Sequence, residues 1–197
     1  MRTQQLIAYV FVSWLVSLLG GSAMAKPAVG DFNKQLTGPY RVSVILTCAA
    51  VDGTLGFIDN SPSFLANGIG NPHHVSVTGV TTYDGADSVT ITDRGVAIFS
   101  GPYVQFSPAA STFVGETCAG TYTVNSDGSF SVVLSCTELD GNTLTNINYV
   151  GQIGANGDVV STTRVGSGVE TMKDAAGTTL FQRICAGTGT ELRIDKK

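Results

Sequence analysis

The chain has 197 residues, only 13% of them charged, and a formal net charge of −4. It is long enough for one domain with a real core. The acidic balance excludes the basic face that a nucleic-acid binder needs and gives no attraction to anionic membranes.

In chain order, Met1–Gln5 carries one basic side chain. Leu6 to Leu19 then runs apolar except for Ser13 and Ser17, and Gly20-Gly21-Ser22 and Ala23-Met24-Ala25 follow. This is the pattern of a secretory signal peptide over residues 1–25. The apolar run falls short of the roughly 20 residues that span a bilayer. Residues 26–197 then form a single exported domain, secreted to the periplasm or the extracellular space. All four cysteines lie in it.

The rest of the chain alternates at period two. Tyr40, Val42, Val44, Leu46 and Cys48 share one face of a first strand, opposite Arg41, Ser43 and Thr47, with Ile45 out of pattern. The same alternation marks Tyr122-Thr123-Val124 and Phe130–Leu134. Between strands sit turn signals: Asp52-Gly53, Asp84-Gly85, Arg94-Gly95, Asp127-Gly128, Asp140-Gly141, Asn156-Gly157 and Asp174–Gly177. Asp or Asn followed by Gly suits hairpins, because the turn needs positive φ. Two longer loops, 59–72 and 101–114, interrupt the meander. Nine or ten strands are expected.

The cysteine pairing follows from one turn. A three-residue loop at Ser126-Asp127-Gly128 sets Asn125 opposite Ser129. Counting outward by equal steps, Cys118 falls opposite Cys136, at a non-hydrogen-bonded pair where Cα atoms approach closely enough for a disulfide. Cys48 is then left for Cys185, joining the first strand to the last long strand. That join is what a closed up-and-down barrel requires. The fold expected is all-β: an antiparallel meander closed into a barrel of about eight main strands with two disulfides, the alternative being a β-sandwich. A membrane barrel is disfavoured, because the chain ends Leu192–Lys197 without a terminal aromatic and the polar face is mostly Ser and Thr.

Little chemistry stands out. His73 and His74, the only histidines, point to opposite faces of a strand and so do not share a metal. They read as a surface pair at a loop–strand junction. Arg183 alternates onto the face of Phe181 and Cys185. It then needs an interior partner such as Glu170 or Glu116, or an anionic ligand, unless a bulge turns it outward and brings Ile184 in. Tyr40, Tyr122 and Tyr149 either line the lumen or fill the core. Asp52, Asp84, Asp127, Asp140 and Asp174 are turn residues. No nucleophile elbow, zinc motif, Cys-x-x-Cys or phosphate loop is present. No catalytic residue, metal or cofactor is assigned.

The hairpin Gly120–Ser129 resembles one found in small exported bacterial proteins of unassigned role, and the meander is similar to calycin-like and allene-oxide-cyclase-like barrels. The Gly-x-Trp of lipocalins is absent, with Gly38-Pro39-Tyr40 in its place. The resemblance implies a barrel that holds a small or apolar ligand. The expected function is non-catalytic binding of a small apolar molecule; the alternative is a structural or adhesion-type surface module.

Overall fold

The computed structural model describes residues 32–52, 57, 71–99, 115–164 and 168–194. The signal-peptide segment 1–25 lies outside these residues. So do the two long loops, apart from Asn71 and Pro72, which open a strand.

Among the described residues, a 3-10 turn at Asn33–Gln35 precedes nine antiparallel strands: β1 (Thr37–Asp52), β2 (Asn71–Asp84), β3 (Ser88–Phe99), β4 (Glu116–Val124), β5 (Ser129–Glu138), β6 (Thr143–Ile153), β7 (Val159–Arg164), β8 (Glu170–Lys173) and β9 (Thr179–Arg193). Each consecutive pair from β1 to β7 is hydrogen-bonded. β7 and β8 both lie between β6 and β9, one beyond the other, and β9 pairs with β1 from Tyr40↔Arg193 to Asp52↔Phe181. The sheet is therefore a closed barrel with eight strand positions, the seventh shared by two short strands. Opposite the junction of those two strands β6 is irregular. Its register shifts between Leu134 and Cys136 of β5, and Asn146 takes φ 64°.

The turn chemistry explains most of the hairpins. Gly85, Gly128, Gly141, Gly157 and Gly177 all have positive φ. The preceding aspartates cap the turns: Asp84 Oδ1 accepts from the amides of Ala86, Asp87 and Ser88, and Asp174 Oδ1 from those of Ala176 and Thr178. Arg94-Gly95 is a correction to the sequence reading. It lies within β3, with Arg94 opposite Thr78 and Gly95 opposite Val77. Arginine has no side-chain acceptor with which to cap a turn, and alternation through Val89, Ile91, Asp93 and Ala97 carries straight across it.

One end of the barrel is plugged. Asn33 Oδ1 accepts from the Val124 amide at 2.7 Å, and Asn33 Nδ2 donates to the Ala86 carbonyl. The Tyr122 hydroxyl donates to the carbonyls of Asn33 and Leu36. Tyr40, Tyr83 and Tyr122 meet edge to face, and Arg193 donates to the Tyr40 hydroxyl at 2.7 Å. Each buried hydroxyl thus has a partner while its ring fills the core. Toward the other end Leu46, Cys48, Val75 and Cys185 form a smaller apolar cluster.

Both disulfides join directly opposed residues, Cys118–Cys136 across β4 and β5 and Cys48–Cys185 across the β1–β9 seam. They close segments of 18 and 137 residues. Constraint of the unfolded chain scales with the logarithm of that span, so the seam disulfide contributes about 5 kcal/mol and the hairpin disulfide about 3 kcal/mol. Paired Cys→Ala variants unfolded in denaturant are expected to keep this order, and non-reducing peptide maps to show these two links.

Candidate functional site

Closing the sheet commits every second residue to the interior. Between the plugged end and the Cys48–Cys185 cluster this leaves a cavity of about 70 Å³. One wall is apolar: Val42, Val44 and Leu46 of β1 and Val75 and Val77 of β2, continued by Ile91, Leu134 and Ile147. The rest is polar, with Asp93, Glu116, Tyr149, Thr162, Arg164, Arg183 and Glu191.

The acids have an order. Glu191 of β9 lies opposite Val42 of β1, which lies opposite Gly79 of β2. Gly79 lies opposite Asp93 of β3, Asp93 opposite Glu116 of β4, and Glu116 opposite Glu138 of β5. Four carboxylates thus occupy one cross-strand row over six strands. Like charges on neighbouring strands repel, so the row is costly unless compensated. Gly79 makes room for it: a Cβ there would run into Asp93 and the Thr92 carbonyl.

Compensation is uneven. Glu170 of β8 takes up both arginines, accepting from Arg183 Nε at 2.7 Å and approaching Arg164 Nη1 at 3.3 Å. Burial lowers the Arg164 pKa, and Glu170 works against that shift. Burial raises Glu116, while Arg183 and then Arg164 pull it back. Burial also raises Glu138, and Asp140 raises it further.

Asp93 and Glu191 are less well served. Asp93 is 7% exposed and Glu191 1%, and each leaves one carboxylate oxygen without a hydrogen bond. Burial and then the Glu116 carboxylate push Asp93 up to about 7, with Arg164 only partly offsetting them. Burial pushes Glu191 up to about 7 although the Tyr83 hydroxyl, 3.2 Å away, donates to it. The Thr81 hydroxyl lies near enough to favour the Glu191 carboxylate but makes no hydrogen bond of normal geometry. Tyr83 in turn lies 3.5 Å from the Tyr149 hydroxyl, and burial raises both phenols.

Of the residues singled out from sequence, Arg183 lines this cavity, while Tyr40 and Tyr122 belong to the plug. Arg183 and Ile184 are both largely withdrawn from solvent although they lie on opposite faces of β9, with no register shift against β1. His73 corrects the surface-pair reading. It is buried opposite Cys48, and only His74 faces outward, with Nδ1 3.2 Å from the Thr47 hydroxyl. Glu116 lies close to the Cys118 and Cys136 sulfurs, but both sulfurs are committed to the disulfide and offer no thiolate to a metal.

Asp93, Glu138 and Glu191 were not singled out as site residues in the sequence, yet signals for them existed. The hairpin register that sets Cys118 opposite Cys136 also sets Glu116 opposite Glu138. Alternation from Cys185 along β9 reaches Glu191. Asp93 was hidden by the turn assigned to Arg94-Gly95.

Family models, curated proteins and solved structures were all compared with this chain, and none matches.

Removing one member of a buried ion-pair group strands the others. Glu170→Gln, which strips both guanidiniums of their ion-pair partner and leaves only the field of Glu116, is expected to cost about 3–5 kcal/mol in denaturant unfolding. Arg183→Met should cost less, since Glu170 keeps Arg164. The raised acids set a pH dependence. The folded protein holds these protons more tightly than the unfolded chain, whose carboxyls titrate near about 4. Their contribution to stability is full at low pH and is lost as pH rises from about 4 to about 7. Asp93→Asn and Glu191→Gln should each flatten the fall in unfolding free energy over that window.

Proposed function

We propose that this protein is an exported, non-catalytic binder that holds a small, largely apolar molecule inside its barrel. The cavity carries this reading. It is enclosed by a continuous sheet, and its β1–β2 wall is built from valine and leucine. Pockets of this kind, apolar with a few convergent polar groups, are where small ligands bind. Support for export is the signal-peptide pattern of residues 1–25 together with two disulfides, which persist in oxidising compartments.

A second reading, an interaction module of the envelope or extracellular space, draws on the outer face. Ile45 of β1 is 66% exposed, and Val96 and Ile98 of β3 are also exposed. Ser76 links Ile45 to Val96 in one cross-strand row.

Native mass spectrometry of protein purified from its host separates the two. A co-purifying small molecule, lost in a Val77→Trp variant that fills the cavity, is the expected result. Protein that is always ligand-free, and that also fails to take up toluene or 1-butanol, overturns the binding role and leaves the surface reading.

A further inference from the structure

We propose that the ligand is a short aliphatic diamine, its two ammonium ends held by Asp93 and Glu191 and its methylene body lying along the valine wall of β1 and β2. This rests on the binding role proposed above and gives it a chemical class.

The charge balance of the cavity selects a cation. Arg164 and Arg183 share Glu170, and Glu116 lies in the field of both. These two guanidiniums and two carboxylates balance as a group, so the arginines do not call for an anionic ligand. Asp93 and Glu191 form no ion pair with that group, and Arg164 only partly offsets the burial of Asp93. No described residue forms a salt bridge with either, both line the cavity, both are more than nine-tenths buried, and each keeps an unpartnered oxygen. A buried carboxylate oxygen without a donor is costly, and an ammonium supplies both the donor and the opposite charge.

Spacing selects two cations over one. Val42 and Gly79 separate the two acids on their shared row. Three strand spacings come to about 14 Å at the backbone, shortened as both side chains reach toward the barrel axis. One metal ion needs several oxygens converging on a point, which two acids on separated strands do not provide. A chain with a charge at each end and methylenes between matches two acids separated by an apolar floor.

Calorimetric titration of the whole protein at pH 8 with 1,4-diaminobutane, n-butylamine, 1-butanol and butyrate tests this. Charge-assisted hydrogen bonds predict about tenfold tighter binding for each added ammonium, so the diamine leads, then the monoamine, then the alcohol. Asp93→Asn and Glu191→Gln should each bring the diamine down to the monoamine's affinity, while the exposed control Asp158→Asn leaves it unchanged. If a variant does not fold, the wild-type order decides. Equal affinity for diamine and monoamine, or best binding by 1-butanol or butyrate, overturns the diamine and leaves the cavity-binding role standing. Binding by none of the four overturns the diamine, while a co-purifying small molecule or uptake of toluene still upholds the cavity-binding role.

Discussion

The hydrogen-bonded seam between β1 and β9 is the constraint on which the rest depends. It runs from Tyr40↔Arg193 to Asp52↔Phe181 and carries the Cys48–Cys185 disulfide. In an open sheet a residue on either face can meet water. Once the seam closes, the inner face has no route to bulk solvent except through the ends, and one end is stopped by the Asn33 turn and the tyrosine cluster. Period-two alternation then becomes an assignment of environment: every inward side chain must be packed, paired or left costly.

Most of that inner face is spent on packing. Four of the charged exceptions lie on one row, from Glu191 to Glu138. Glu170 and the two arginines neutralise part of it, and the remaining acids answer burial by holding their protons to higher pH. A barrel built only for stability would replace such groups with apolar residues, since buried charge seldom improves on a well-packed core. Their placement beside a cavity, opposite a valine wall, is what the proposed binding role draws on.

The division of labour among glycines fits the same picture. Gly85, Gly128 and Gly157 serve turns that need positive φ, whereas Gly79 and Gly189 serve space. A side chain at Gly79 would collide with Asp93, and one at Gly189 would meet Thr162 and Val44 of the cavity wall. Strand interiors normally disfavour glycine, so those positions mark where the interior had to be kept clear.

The sequence by itself determined the fold class, the period-two faces, most hairpins and both disulfides. These are local or depend on a single register: an Asp-Gly turn sets φ, the turn sets the register, and the register sets Cys118 against Cys136. It also put Arg183 on the face of Cys185. The tertiary structure alone decided what that face looks into. Whether β7 and β8 share one position, and whether Asp93, Glu116 and Glu191 lie on one row, depend on pairings between strands far apart in the chain. Alternation tells which residues share a face, but only closure tells which faces share a cavity, and the charge balance of a cavity is a sum over all of them.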